Sequence, residues 1–92
     1  MNKIEFTFDN NITVLSGNDF GRDIFESQMK DKFNMETVNK LVFSNKIEMI
    51  CSSFVQGLFS DFLDKYTPAE IIERIVIDNP DHYDDIKEGL ND

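Results

Sequence analysis

The sequence is poor in several residue types that mark particular classes of protein. It has one cysteine, four glycines, two prolines and no tryptophan among 92 residues. A single cysteine excludes an internal disulfide and every metal motif built from cysteine pairs. The glycines do not form a nucleotide-binding loop, because Gly17 and Gly21 lack the remaining spacing of such a fingerprint. We expect no cofactor, no metal ion and no enzymatic activity.

Basic residues are also scarce, and they are scattered along the chain. Nine Lys and Arg residues stand against 18 Asp and Glu residues, which gives a formal charge of −9. Such a surface repels phosphates, so direct binding of DNA or RNA is not expected. No apolar stretch approaches the roughly 20 residues of a membrane helix, and the amino terminus lacks the features of a secretory signal. We expect a cytoplasmic protein without membrane association.

The apolar content is sufficient for one core. Hydrophobic residues make up 40% of the chain and aromatic residues 12%, which argues against disorder. A chain of this length supports a single core, so residues 1–92 are predicted to form one domain. The acidic charge is uneven, because residues 78–92 contain six acids and one lysine and so carry −5 of the −9.

The first third of the chain predicts a hairpin and a helix. Residues 4–8 alternate apolar and polar side chains as a half-buried strand does, and a second apolar run covers residues 12–15. Turn-forming residues at positions 9–11 favour a hairpin between these two strands. Apolar residues at helical spacing then predict a helix over about residues 19–33. The stripe on that helix, which would be a docking patch if exposed, consists of Phe20, Phe25, Met29 and Phe33.

The middle of the chain predicts a central strand and the most buried helix. Residues 38–43 contain a continuous apolar run, which is typical of a strand buried on both faces. A short apolar step over residues 47–50 follows. Residues 54–66 then show the broadest apolar stripe of the sequence at helical spacing, which predicts a deeply buried helix.

The last third predicts one more strand and one more helix. Residues 74–77 are rich in β-branched side chains, which favour a strand. Asn79 and Pro80 are typical of a helix cap followed by proline at the first helical position. The resulting order, ββαβαβα, predicts an α/β fold with a mixed sheet, an N-terminal hairpin and helices packed on the sheet.

A buried strand, a short loop and a helix that opens on Cys51-Ser52-Ser53-Phe54 follow one another in residues 40–58. This segment resembles the STAS domains (sulfate transporter and anti-sigma antagonist), especially the small STAS-like proteins of bacteria. Gly21 and Arg22 resemble the start of a helix in the same branch, and the resemblance spans most of the chain. It implies a STAS-like fold and a regulatory module that binds a protein partner.

The resemblance also implies a site at the start of this helix. Anti-sigma antagonists of the family dock on a histidine-kinase-like ATPase, which phosphorylates the second serine of the motif. That serine corresponds to Ser53, with Ser52 beside it, so the implied partner is such an ATPase or an anti-sigma-type regulator. Cys51 stands where the antagonists have Asp, and Phe54 where they have Gly. Cys51, Phe54 and Gln56 are predicted to contact the partner, and self-association is left open.

The residues themselves allow two interpretations of the serine pair. Ser52 or Ser53 would cap the helix, a contribution of about 1 kcal/mol, or would carry a phosphate that the helix start stabilises. The pattern favours capping, because any serine pair before an apolar helix would look the same. Cys51 would need a base to act as a nucleophile. The one histidine, His82, is expected on the surface of another helix, so Cys51 is expected to be a small buried hydrophobe.

The acids of the last helix allow three interpretations. Their spacing does not match a calcium loop, while steps of three and four predict one solvated face. That face would keep the protein soluble or would steer a basic partner. An alternative function follows, in which a small acidic inhibitor from a mobile element presents carboxylates in place of phosphates and blocks a nucleic-acid-binding protein. The acids predicted to contact a partner are Asp81, Asp84, Asp85 and Glu88.

Overall fold

Strands and helices alternate along the chain, whose computed structural model describes all residues, Met1–Asp92. The strands are β1 (Asn2–Glu5), β2 (Val14–Leu15), β3 (Asn39–Val42), β4 (Met49–Ile50) and β5 (Ile75–Val76). The helices are α1 (Asn18–Ile24), which continues as a π-helical turn over Phe25–Met29, α2 (Ser52–Leu58), α3 (Ser60–Leu63), α4 (Pro68–Ile72) and α5 (Pro80–Leu90). The predicted α/β fold is confirmed. None of the helices combines the length and the apolar character that a membrane crossing requires.

The strands form two parallel sheets, with the order β1-β3-β5 in one and β2-β4 in the other. The predicted N-terminal hairpin and mixed sheet are therefore wrong, because β1 pairs with β3 and β2 pairs with β4. A turn does form after β1, where the N–H of Ile12 donates to the carbonyl of Asp9. The chain before this turn instead follows β3, since the Phe6 ring stacks on Phe43 with centroids 4.7 Å apart. Aromatic packing across the sheet thus outweighs the local turn signal.

A buried asparagine joins the starts of all three strands of the larger sheet. The Asn39 side chain is fully buried, and its amide nitrogen donates to the carbonyls of Asn34, Thr37 and Arg74. Its amide oxygen accepts from the Asn2 side chain and from the Asn34 N–H. Asn2 begins β1, Asn39 begins β3 and Arg74 directly precedes β5. Every polar group of this side chain is therefore paired, as burial requires.

The backbones of α1 and α2 touch where two glycines face each other. A Cβ atom at Gly21 would overlap the Phe54 carbonyl oxygen, and a Cβ atom at Gly57 would overlap the Asn18 carbonyl oxygen. Only hydrogen fits at both positions, so the helices approach more closely than any side chain would permit. We call this contact the glycine crossing.

Helix α2 is also covered on a second side, by α5. Gly89 of α5 lies directly against the Val55 side chain, with no room for a Cβ atom. The predicted burial of this helix is confirmed, although Phe59 interrupts it with φ −107° and ψ 12° and separates α2 from α3. The fully buried side chains of the segment are Phe54, Val55, Leu58 and Phe59.

The aromatic stripe of α1 faces the interior and forms no docking patch. Phe25, Met29 and Phe33 are buried in the core, and Phe20 is half-buried against it. The Phe33 ring meets the Phe59 ring at a centroid distance of 5.8 Å. The stripe therefore belongs to the core that packs α1 against the α2–α3 segment.

Helices α4 and α5 each begin at a residue whose side chain caps the helix. Asn79 caps α5 as predicted, because its side chain accepts from two N–H groups of the first turn, with Pro80 at the first position. Helix α4 was not predicted separately from the strand that follows it. It begins with a capping box in which the side chain of Thr67 accepts from the Glu70 N–H. Hydrogen bonds that Thr67 donates to Glu70 hold the pKa of that carboxyl below its usual range.

The glycine crossing predicts an unusual effect of alanine. At an exposed position inside a helix, glycine costs about 1 kcal/mol relative to alanine, so Gly-to-Ala normally stabilises. We expect Gly57→Ala to lower the free energy of unfolding by about 2 kcal/mol or more, because overpacking would force the two backbones apart. Urea unfolding followed by circular dichroism measures this. Lys87→Ala, at an exposed position of α5, is the control and should leave stability nearly unchanged, and an equally stable Gly57→Ala variant would rule out the crossing.

The Asn39 network predicts a pH-dependent defect for Asn39→Asp. The new carboxylate would face the carbonyl oxygens to which the amide nitrogen now donates, which raises its pKa and costs about 3 kcal/mol near neutral pH. Because the folded-state pKa would exceed the unfolded one, the defect should shrink as the pH falls toward 4. The measurement is the difference in unfolding free energy from the native chain at each pH. Asn10→Asp, at an exposed site, should show no such trend.

Candidate functional site

The two strands of the smaller sheet each lead into a helix with almost no loop. Cys51 alone separates β4 from α2, and Ser16 and Gly17 separate β2 from α1. The strands are parallel, with Val14 opposite Met49. Both helices therefore begin at the same edge of the sheet. We call residues 16–18 and 51–53 the paired helix starts.

A single side chain connects the paired helix starts. The Ser53 hydroxyl oxygen accepts a hydrogen bond of 2.9 Å from the N–H of Gly17. Gly17 has φ 98°, a backbone conformation that glycine adopts without strain. Ser53 is nevertheless exposed. The hydroxyl that the sequence singled out is thus at the surface and in contact with the start of the other helix, a contact that the sequence analysis missed.

Neither serine caps α2, so the capping interpretation is wrong. The N-cap residue is Cys51, which has extended backbone angles and makes no side-chain capping bond. Because β4 continues straight into Cys51, the two serines fall one position too late and become the first two residues of the helix. Ser52 is half-buried, and the Ser53 hydroxyl is used between helices instead of within one.

The other predicted contact residues of this region differ in exposure. Cys51 is half-buried instead of buried. Phe54 is fully buried, and its ring lies 5.4 Å from the Phe20 ring, so its predicted contact with a partner is not possible in this structure. Gln56 is half-buried, and its side-chain nitrogen donates to the Gly89 carbonyl at 2.6 Å. This hydrogen bond joins α2 to the last turn of α5.

Two exposed apolar side chains lie side by side next to the paired helix starts. Val14 is 46% exposed and Met49 is 53% exposed. They are register partners in adjacent strands, so both side chains stand on the same outer face of the sheet. Their neighbours Leu15 and Ile50 point inward and are buried. We call Val14 and Met49 the apolar pair, which the sequence analysis did not identify because each residue is unremarkable alone.

Strand β4 is hydrogen-bonded to a strand on one side only, where it meets β2. The Thr13 carbonyl accepts from the Glu48 N–H, and the Leu15 carbonyl accepts from the Cys51 N–H, both at 2.7 Å. Successive N–H groups of a strand point to opposite edges. The Ile50 N–H, which precedes that of Cys51, therefore points away from β2 and has no partner there.

Helix α5 supplies that partner and holds β4 in place. Asp85 accepts from the Ile50 N–H at 2.9 Å, and it is half-buried instead of belonging to the predicted solvated face. One helical turn earlier, His82 Nε2 lies 2.7 Å from the Ile47 carbonyl oxygen, so the hydrogen bond places the ring proton on Nε2. The side chains of His82 and Asp85 thus hold Ile47 and Ile50, the two ends of the segment that precedes Cys51 and α2.

The predicted exposure of His82 is wrong. The side chain is 2% exposed and its ring packs edge-on against Phe43 at a centroid distance of 5.8 Å. Because Asn79 caps α5 and Pro80 is its first residue, His82 is the third helical position and faces the core. A histidine in a first turn is therefore not a surface residue when the cap orients that turn inward.

The remaining acids of α5 are exposed as predicted. Asp81, Asp84 and Glu88 are exposed, and none of them takes part in any of the ion pairs of the structure. We call these three residues the acidic stripe. Asp78, outside the helix, pairs with Lys40 at 2.9 Å. No group of three or more His, Cys, Asp or Glu side chains is arranged to hold a metal ion.

Comparison with known proteins identifies the family to which this arrangement belongs. A family model described as a STAS-like domain of unknown function (DUF4325) matches residues 22–85. The match includes α2, the paired start at residues 51–53 and most of α5. Neither a search of curated proteins nor a search of solved structures returns a match.

The hydrogen bond from the Ile50 N–H predicts that Asp85 supports the site through one N–H group. In Asp85→Ala, the Ile50 N–H loses its acceptor, which costs about 1–3 kcal/mol. The Ile50 amide should then exchange with solvent at least tenfold faster, measured by NMR hydrogen exchange. Asp85→Asn keeps an oxygen acceptor and should retain most of the protection. Asp84→Ala is the matched control, and equal exchange rates for Ile50 in both alanine variants would contradict the assigned role.

Proposed function

Because the chain belongs to the family of STAS-like domains of unknown function, we propose that it is a non-enzymatic regulatory module that binds a protein partner at the paired helix starts. The observation that supports this most directly is the apolar pair, which lies on the two strands that lead into the paired helix starts and is close to half exposed. Apolar side chains grouped on the surface of a small domain mark contact surfaces for other proteins. The family description assigns no enzymatic activity.

Ser53 is the proposed switch residue on this surface. Its oxygen already accepts from the Gly17 N–H, and a phosphoryl group would add nearly two negative charges and considerable bulk at that point. The glycine crossing holds the backbones of α1 and α2 in direct contact below this surface. Phosphorylation would therefore alter the surface that a partner meets, with little change in the core.

The resemblance to anti-sigma antagonists supports one class of partner. We propose a histidine-kinase-like ATPase or an anti-sigma-type regulator, which would contact the exposed residues around positions 51–53. Cys51 and Gln56 are half-buried and can be reached in part by a partner. Phe54 is fully buried and packs α2 onto the core. The Asp that the antagonists carry before the serines is replaced by Cys51, so phosphorylation and docking are separate parts of the proposal.

A second candidate function is supported by the acidic stripe. Three carboxylates free of ion pairs on one helix fit an inhibitor that occupies a nucleic-acid-binding surface in place of phosphates. Such an inhibitor would compete with DNA for its target and would lose affinity steeply as salt rises. It would not depend on the apolar pair. Met49→Ser therefore separates the two functions, because it should weaken only the proposed regulatory docking.

Site-specific cross-linking tests the docking surface. A photoreactive benzoylphenylalanine in place of Met49 should capture a discrete partner in cells of the source organism, which mass spectrometry would identify. The same group in place of Lys65, at the far end of the α2–α3 segment, is the matched control. Capture from position 65 alone, or from neither position, would refute docking at the paired helix starts.

Phosphorylation is tested with the captured partner. Incubation of the purified partner with ATP and the full chain should add the mass of one phosphoryl group at Ser53. The modification should disappear in Ser53→Ala and persist in Ser52→Ala, because only Ser53 has an exposed side chain. An unchanged mass together with intact binding would leave docking in place and exclude the switch.

A further inference from the structure

Building on the proposed docking function, we infer that the apolar pair and the acidic stripe form one continuous surface, and that its partner presents an apolar side chain surrounded by Lys and Arg residues. The two features come from separate parts of the chain, β2 and β4 for the apolar pair and α5 for the acidic stripe. We infer their continuity from the contact between α5 and β4. We infer the chemistry of the partner from the negative charge of the exposed acids beside the apolar pair.

The order of elements across this surface is β2, β4 and α5. The N–H groups of Glu48 and Cys51 donate to β2 on one side of β4. On the other side, the Ile50 N–H meets Asp85 of α5. Met49 of the apolar pair thus lies between Val14 and helix α5.

Helix geometry then places the acidic stripe beside Met49. Residues three and four positions apart share one face of a helix, so Asp81 and Glu88 lie on the same side of α5 as Asp85. The Asp85 carboxylate touches β4, while those of Asp81 and Glu88 are exposed. The exposed carboxylates therefore border the apolar pair on its α5 side, and Glu48, which precedes Met49, adds another exposed acid.

The exposed acids that border the apolar pair favour a positively charged partner. The chain carries −9 overall, and the stripe has no cation of its own in an ion pair. Lys and Arg residues of a partner would meet these free carboxylates, which speeds association and fixes orientation. Nucleic acid and anionic lipid surfaces would be repelled instead.

A second copy of this chain is a poor occupant. Most homodimers use a twofold axis, so the same surface of each protomer faces its equivalent. Both facing surfaces would then carry the same excess of acids, and like charges across an interface oppose binding. The apolar pair alone offers only two half-exposed side chains, which is too little area to offset that repulsion.

A designed peptide tests this surface with the full chain. The probe is a synthetic peptide of alternating leucine and lysine, titrated into 15N-labelled protein and followed by amide chemical shifts. The largest shifts should fall at Val14, Met49, Asp81 and Glu88. Affinity should decrease as salt rises. A peptide with serine in place of lysine should bind at least tenfold more weakly.

Matched variants separate this surface from general attraction to an acidic protein. Met49→Ser should lower peptide affinity about fivefold to tenfold, because the leucine side chains lose an apolar contact. Val76→Ser, at another exposed apolar residue, should have no effect. The double variant Asp81→Asn/Glu88→Gln should weaken binding about fivefold. The double variant Asp19→Asn/Asp23→Asn, on exposed acids of α1, should not.

Three outcomes would overturn the inference. They are shifts spread over all acidic regions, equal binding of the serine peptide, and equal losses in the two double variants. The cross-linking experiment fails or succeeds independently. A partner captured at position 49 without these peptide results would preserve the docking function and refute its basic character. Peptide binding without any captured partner would refute the docking function alone.

Discussion

Contact between the backbones of α1 and α2 at Gly21 and Gly57 determines where the rest of the candidate site lies. Each helix follows directly on a strand of the smaller sheet, and paired strands lie only about 4.8 Å apart, so the two helices have to start close together. A larger residue at either glycine would separate the helices. The hydrogen bond from the Gly17 N–H to Ser53 depends on this close approach.

Helix α5 makes the site rigid from the opposite side. It covers α2 through Gly89, receives Gln56 at its end, and binds the segment before α2 through His82 and Asp85. In the sequence, the acidic helix lies well after the serine motif. The sequence alone therefore gives no sign that the acids of α5 and the proposed switch residue Ser53 are connected. In the structure the Asp85 carboxylate connects the two, because it adds to the acidity of α5 and also accepts a hydrogen bond from the Ile50 N–H of β4.

Features that follow from the periodic spacing of apolar residues and from local capping signals were predicted correctly from the sequence. Features that depend on contacts between residues far apart in the chain were not. The burial of α2 and the start of α5 at Asn79 follow from local patterns, and both are confirmed. The pairing of β1 was wrong, because the turn at residues 9–11 is a local signal while the stacking of Phe6 on Phe43 is not. His82 was misplaced for a similar reason. Its burial depends on how the capped turn faces the core, and no spacing rule contains that information.

The candidate site was predictable in position and not in detail. The resemblance to STAS domains located residues 51–54 correctly as a helix start. The use of Cys51 as the N-cap depends on where β4 ends, because β4 stops at Ile50 and α2 begins at Ser52. The apolar pair is visible only once β2 and β4 are known to be parallel neighbours, since alternation alone cannot show which outward residues meet.

The parallel strand pairs also have a consequence for how the protein is made. Strand β1 precedes its partner β3 by more than 30 residues in the order of synthesis. The Asn39 amide, in turn, completes its contacts only when Arg74 has emerged. Pairings between distant segments form slowly, since loop closure precedes any gain. Phe6 therefore stays exposed during synthesis at least until β3 and Phe43 have emerged, and exposed apolar surface favours aggregation until that pairing forms.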